Sequence, residues 1–395
     1  MGLLRRGRLA AAMITAVLLA ASMQLAPPAW AEPPPERNAA TEPAGQIAVL
    51  THNLFVGADL RPALSATDQP TFQTELRKAL DQIADNRFPL RAVSLAHEIA
   101  QARPHVVALQ EVFDIRLNGA NASGPYRNHL DLLLQALKLF GDEYRVVSQV
   151  RTLSATFPVD LDRNGSLEAQ VSLADHNVLL VRKDIPAAPT PFGPKCNRPS
   201  QDGCVYGVVD HADLPNGRVI MEHGYTGVDL AVNGRDYRVV TTRVEDRDRQ
   251  LSNTPEPIDP LFATFQSFQT SELITLIESM PGGPTVIVLG DLASRPEDEA
   301  VGPLVVPPHT ILSTNGFRDV AKLDPSPPAP GHTCCQAVNL RKKKPQLNRR
   351  PDHVFVTGTP VEVQTDILGD TSLDRLLAGG RWPSDHAAVF ATLRY

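Results

Sequence analysis

Positive charge is in deficit along this chain: 38 Lys and Arg face 44 Asp and Glu, a formal net charge of −6. That balance offers no general attraction for nucleic acid or anionic lipid, so an anionic ligand would have to be drawn in by a local metal or basic patch. No long interleaving of aromatic and basic residues marks a nucleic-acid track. The N-terminal apolar stretch Leu9–Ala21 falls short of the roughly 18–20 residues a membrane span needs, and no other run is long and apolar enough. No glycine-rich fingerprint follows the first predicted strand, which argues against a dinucleotide enzyme. Internal repeats and a second linker are missing. There are only four cysteines, Cys196, Cys204, Cys334 and Cys335, and no histidine stands at ligand spacing from them, which argues against zinc.

What is present begins with an export pattern. Arg5, Arg6 and Arg8 precede the apolar stretch, and Ala29-Trp30-Ala31 forms a small-x-small cleavage site before Glu32. Residues 1–31 therefore read as a signal peptide, which places the mature chain outside the cell or in the periplasm. Loss of three arginines takes the net charge from −6 to about −9. A Pro/Glu/Ala-rich tether over 32–45 cannot bury a core and is expected to be disordered. Residues 46–395 remain as one α/β domain. In an oxidising compartment the cysteines are expected to be oxidised. Cys196 and Cys204, which bracket a Pro/Gly-rich loop, are the favoured pair, although four cysteines allow three connectivities.

Periodicity predicts a strand over Ile47–Phe55, helices over Phe72–Ala84 and Leu90–Ala102, and a buried strand over His105–Leu109. Leu130, Leu133, Leu137 and Phe140 mark a further helix. Strands are expected near Tyr144–Val150, Val178–Val181, Tyr225–Val232 and Tyr237–Thr242. A long helix through Phe262 and Leu276 stops at Pro281, and strands follow at Val286–Leu289, Val354–Val356 and Ala387–Leu393. This order suits two packed mixed sheets with helices outside, rather than one parallel sheet.

Polar residues stand at the ends of these strands: Asn53, Glu111, Asp291, Asp352 and the pair Asp385-His386. Carboxylates gathered at a sheet edge repel one another unless a cation neutralises them. Hard oxygen donors favour magnesium, manganese or calcium over zinc. Such an ion polarises a phosphoryl oxygen and lowers the pKa of bound water. Asp385 beside His386 suits a carboxylate–imidazole base arrangement.

The stretches Leu50-Thr51-His52-Asn53-Leu54, Leu109-Gln110-Glu111-Val112, Gly290-Asp291-Leu292, Arg350-Pro351-Asp352-His353-Val354-Phe355 and Ser384-Asp385-His386 resemble, in order, the motif series of the endonuclease/exonuclease/phosphatase superfamily. That superfamily includes DNase I-like nucleases, neutral sphingomyelinases and inositol polyphosphate phosphatases. The resemblance runs from about Ala48 to Tyr395 and implies a DNase I-like, four-layer α/β/β/α sandwich with its site at one edge of the two sheets. It implies that Asn53 and Glu111 hold a divalent metal, magnesium with manganese or calcium as alternatives. Asp385 would join them or pair with a histidine, Asp291 would position the attacking water, and Asp352 would support the site. His386 would be the general base or a phosphate-contacting imidazole. The implied substrate is a phosphorylated small molecule, a nucleic acid or a phospholipid headgroup. No stable protein partner is inferred, and a monomer is expected.

Two positions depart from that series. Arg243 stands where the family carries histidine, and Ala293 where Gly-Asp-x-Asn ends in asparagine. Arginine clamps phosphate bidentately but exchanges no proton near neutral pH. Alanine removes a donor, and loss of one preorganised donor costs about 10²–10³ in rate. The readings are therefore a working phosphoesterase that uses Arg243 as a phosphate clamp, or an impaired relative that binds without turnover. Asp160–Gly165 resembles the start of a calcium loop, but Val171 stands where its closing acid belongs, so an Asn-Gly turn is the plainer reading. The basic run Arg341–Lys344 precedes Asp352 and reads as a surface loop, with a place over the site as the sharper alternative. His97, His129 and His309 have no carboxylate nearby in sequence and read as structural or exposed.

Overall fold

A computed structural model describes residues 42–119, 127–141, 143–161, 164–247 and 258–395. All of them belong to one compact unit. The expected signal peptide, and the tether up to residue 41, lie outside the described residues. No described helix is long and apolar enough to cross a membrane.

The first sheet is built around β1 (Gln46–Asn53) and β2 (Val106–Gln110), which pair in parallel. Both are buried along nearly their whole length, as continuous apolar runs predict for strands covered on two faces. β1 also pairs antiparallel with β13 (Ala388–Arg394), and β13 with β12 (Glu362–Leu368). On the other side β2 meets β5 (Ala169–Arg182), which also pairs with β3 (Asp114–Gly119) and with the long β4 (Tyr144–Val159). The second sheet runs β11 (Asp352–Val356), β10 (Thr285–Asp291), β9 (Arg235–Arg243), β8 (Gly224–Val232), with short strands at both edges. A separate hairpin of β6 (Asp210–Leu214) and β7 (Gly217–Met221) stands apart from both sheets.

The sheets pack face to face through Ile47, Val49, Val106 and Ala108 on one side and Val239, Ile287, Leu289 and Val354 on the other. On the outer face of the first sheet, α3 (Phe88–Ala102) and α4 (His129–Leu137) place Leu95, Ile99 and Leu133 against Leu50, Val107 and Leu180. On the outer face of the second, α5 (Pro260–Ser279) and α6 (Pro308–Thr314) place Leu273, Ile277 and Leu312 against Val240, Val288 and Phe355. The result is the expected α/β/β/α sandwich. Helix ends follow local chemistry: the Asp68 side chain caps α2 (Gln69–Asp85) by accepting from Thr71 N. α3 ends before Pro104, with Arg103 in the left-handed region.

The sequence reading missed several elements: β3, β12, the β6–β7 hairpin, α6, and a four-residue helix α1 (Arg61–Leu64) that follows β1. Cys196 is bonded to Cys204, and Cys334 to Cys335.

Candidate active site

Strand register gathers the polar residues at one edge. On the second sheet Arg243 is opposite Asp291, and Asp291 is opposite Asp352. On the first, Asn53 ends β1 opposite Gln110, so Glu111 lies just beyond it. Asp385 and His386 enter β13, the other neighbour of β1. All six expected strand-end residues therefore meet where the two sheets abut.

His386 and Asp352 form the buried heart of the cluster. His386 Nδ1 donates to Asp352 Oδ2 at 2.8 Å, and Thr333 Oγ1 donates to the same oxygen at 2.6 Å. Asp352 Oδ1 has no hydrogen-bond partner among the described residues. Burial works against the charged imidazole, but Asp352, Asp385 and Asp291 outweigh it and push His386 up to about 10. His386 is thus an imidazolium near neutral pH, suited to contact phosphate. Ligating atoms of Asp291, Asp352 and His386 lie within 4.8 Å of one another.

Asn53 ties the two sheets together. Its Nδ2 donates to Asp291 Oδ2 at 3.0 Å and to Glu111 Oε1 at 3.2 Å. Asp291 Oδ1 accepts from Ala293 N at 3.0 Å. Burial opposes ionisation of Asp291, yet His386 and Arg243 hold its carboxyl below the ordinary range. Glu111 has φ of 52°, in the left-handed region, and its Oε2 accepts from Val56 N at 3.1 Å. Backbone strain of this kind persists where surrounding contacts enforce it, and it concentrates at functional sites.

Arg243 turns into the site rather than outward to Glu245 or Asp246. Its Nη2 lies 2.9 Å from Glu111 Oε1, its Nε 3.7 Å from Asp291 Oδ2, and its Nη1 4.0 Å from Asp175 Oδ2. Burial would weaken its charge, but these carboxylates raise its pKa further.

Asn53, Glu111 and Asp385 are the residues expected at a hard divalent ion. Glu111 and Asp385 offer carboxylate oxygens, whereas Asn53 Oδ1 accepts from Phe55 N at 2.9 Å and its Nδ2 faces Glu111 and Asp291, so Asn53 would have to turn its amide to ligate. Burial, reinforced by Glu111 and Asp291, pushes Asp385 up to about 6. Its one side-chain hydrogen bond among those described is a long one, 3.4 Å from Ser384 Oγ. A buried, weakly partnered carboxylate among other carboxylates fits a cation site.

Three contributors were missed in the sequence. Asp175 lies on β5 beside Arg243, and burial, reinforced by Glu111 against the pull of Arg243, pushes it up to about 7. An acid three residues before the apolar run Val178–Val181 was the available signal. Arg91, fully buried on α3, donates to Leu54 O at 2.6 Å and to Phe55 O at 2.9 Å, and so holds the loop that presents Val56 N to Glu111. Thr333 belongs to the segment behind His386, where Ala387 N donates to Thr333 O at 2.7 Å.

The remaining expectations fall elsewhere. His309 has a carboxylate partner after all: its Nε2 lies 3.1 Å from Asp319 Oδ2, a contact made by folding and invisible in sequence. Both oxygens of Asp160 are engaged, by Asn164 N at 3.2 Å and by Gly165 N at 3.1 Å, with Arg77 Nη1 at 3.2 Å. Asp162 and Arg163 lie outside the described residues. Arg341 binds Asp85 at 2.7 Å, and Arg350 is paired with Asp319.

A cavity of about 390 Å³ opens from the site, with Glu111, Asp175 and Arg243 in its wall. Phe55, Val56, α1 and the β6–β7 hairpin contribute further parts of its wall.

The model of the Endonuclease/Exonuclease/phosphatase family matches residues 50–386. No curated protein matches the chain. Among solved structures, an endonuclease/exonuclease/phosphatase family protein from Leptotrichia buccalis C-1013-b is similar at a TM-score of 0.47 and 12% identity, over 88% of this chain and 100% of its own. A mannosyl-6-phosphatase from Bacteroides thetaiotaomicron VPI-5482 gives the same figures, 0.47, 12%, 88% and 100%. TDP2 from C. elegans is similar at a TM-score of 0.43 and 15% identity, over 89% of this chain and 75% of its own.

Proposed function

The chain belongs to the endonuclease/exonuclease/phosphatase family of divalent-metal-dependent phosphoesterases, and from that premise we propose that it is an exported hydrolase of phosphate esters that uses Arg243 in place of the family's histidine. The inward turn of Arg243, 2.9 Å from Glu111, carries this reading. A guanidinium held between Glu111 and Asp291 presents a fixed fork to a phosphoryl group.

Asn53, Glu111 and Asp385 would hold the ion, magnesium or manganese by the hardness of the donor set. When bound, such an ion polarises the phosphoryl oxygen and acidifies water. Asp291, held ionised and oriented by Asn53 and Ala293 N, positions the attacking water and accepts its proton. His386, kept charged by Asp352, donates to a phosphate oxygen. Arg243 neutralises charge as it develops and cannot protonate the leaving group, so turnover is slower than with histidine.

A second reading has a specific observation behind it. Arg243 is itself a cation on Glu111, a residue assigned to the metal, and Ala293 supplies no side-chain donor. In that reading the protein binds phosphorylated ligands without turning them over. The readings separate in hydrolysis of bis(p-nitrophenyl) phosphate with and without Mg²⁺ or Mn²⁺, alongside calorimetric Mn²⁺ binding to the wild type and Glu111→Gln. The proposal expects metal-dependent hydrolysis and weakened Mn²⁺ binding in the variant. Mn²⁺ binding without hydrolysis favours the second reading. Export predicts a mature N-terminus at Glu32, which N-terminal sequencing of secreted protein checks.

A further inference from the structure

The cavity beside Arg243 has a composition that selects its occupant. Phe55, Val56 and Phe113 line it and are buried, and Leu60, Leu64 and Met221 complete an apolar wall. The wall depends on the two small elements outside the sandwich, because Leu64 ends α1 and Met221 ends β7. The charge around the cavity is negative. Asp210, Asp213, Glu222, Glu245 and Asp246 line it in addition to Glu111 and Asp175, against Arg61, Arg243, His211 and His223 and no lysine. Some of these acids have cationic or imidazole partners, Arg218 on Asp213 at 2.7 Å, Arg198 on Glu222 and His223 on Glu245 at 3.4 Å, but the formal balance of the lining stays acidic. Arg61 is paired with Asp59 at 3.1 Å, which leaves Arg243, beside Glu111 at 2.9 Å, as the arginine that meets a phosphate.

A nucleic-acid strand needs a track of Lys and Arg to neutralise successive phosphates. This wall offers the reverse. One phosphate at Arg243 is matched, and whatever extends from it into the cavity meets apolar side chains within an acidic rim. The volume of about 390 Å³ is near the small end of the range for ligand pockets.

We propose that this cavity binds the alcohol half of the substrate, and that the substrate is a small soluble phosphate ester of an apolar, uncharged or cationic alcohol rather than a polynucleotide. The proposal rests on the phosphoesterase reading for the phosphate end alone. Recognition of the apolar end is a binding property and is measured without turnover.

The test is calorimetric titration of the full mature chain, in Mg²⁺, with methyl-, butyl- and hexylphosphonate. Affinity should rise with chain length, by up to about fourfold for each buried methylene. Met221→Asn and Leu64→Asn, which add polarity without charge, should each flatten that gradient, read as the ratio of hexyl- to methylphosphonate affinity. Two variants on separate elements guard against one that fails to fold. A gradient that survives in both folded variants would overturn the proposal, as would equal affinity for all three phosphonates. Displacement of hexylphosphonate by a single-stranded oligonucleotide at lower concentration would also overturn it, and preferential hydrolysis of phosphatidylcholine vesicles would overturn the soluble source. If the gradient appears and no ester is hydrolysed, the cavity assignment stands and the catalytic reading falls.

Discussion

Ala293 adopts φ of 44°, a left-handed conformation that costs a non-glycine residue about 1–2 kcal/mol and that asparagine tolerates better. The departure from the family pattern at this position thus removes a donor and leaves a strained backbone behind. Ala293→Asn is expected to stabilise the fold by up to about 1 kcal/mol, read from urea unfolding, and to raise kcat by about 10²–10³ if the amide reaches the reacting phosphate. Arg243→Ala tests the opposite side of the same question. It leaves Glu111, Asp175 and Asp291 without their shared cation, and the phosphate-clamp role predicts a fall in kcat/KM of about 100-fold or more on bis(p-nitrophenyl) phosphate. Unchanged or increased activity would mean that Arg243 blocks the site. At this scale the strand-end residues were legible because the transition from an apolar strand to a polar residue is local in sequence. Asp175, Arg91 and the His309–Asp319 contact were not, because their roles depend on partners 10 to 68 positions away (Asp175 to Arg243 is the longest) that only folding supplies.

Elements place those residues, and α3 does so most directly. Arg91 bridges from this helix to the loop after β1, donating to Leu54 O and Phe55 O while lying over the Phe88 ring at 4.8 Å. Burial lowers its pKa to about 10, offset by Asp385 and Glu111, so it remains charged. Arg91→Met keeps the bulk and removes the donors, and two buried carbonyls lose their partner. The expected cost is about 2–3 kcal/mol in denaturant unfolding, with weaker metal binding as the Val56–Glu111 contact loosens. The amphipathic pattern Leu90, Val93, Ala96, Ala100 identified the helix but not this function, since Arg91 falls outside that face. Leu90 itself is 38% exposed. The short elements α1, β6 and β7 escaped notice because four or five residues carry too little periodicity to separate from loop. They are also the elements that shape the cavity, so specificity was less legible than chemistry.

Across the whole molecule, buried ionisable groups set the response to pH. Asp319 ties α6 to the second sheet through His309 and Arg350, and these partners hold its carboxyl well below the usual range against the effect of burial. A depressed carboxylate stabilises the fold above its unfolded pKa and loses that contribution as pH falls through the folded value. Asp319→Asn, which breaks a buried pair, is expected to cost about 3–5 kcal/mol at neutral pH. His353 acts over a higher window. Burial first, then Arg350, lowers it from 6.5 to about 3, so below pH 6.5 the unfolded chain binds a proton that the folded one refuses. Stability should therefore fall between pH 6.5 and 3, and the slope of urea midpoints over pH 6.5 to 4 should shrink in His353→Gln. Two packed mixed sheets with helices outside were readable from the order of helices and strands, and the four-layer α/β/β/α arrangement from the motif resemblance. The length of the β4–β5 arm and the presence of β12 were not, because partly exposed strands dilute the apolar signal.

The central claim is that the gathered strand-end residues still perform hydrolysis around a charged His386. Its most direct test is the rate of bis(p-nitrophenyl) phosphate hydrolysis in Mg²⁺ or Mn²⁺ by the wild-type mature chain and by His386→Ala, each at matched folded concentration. The account predicts a fall in kcat/KM of about 10²–10⁴ in the variant. Equal rates for the two proteins would contradict it.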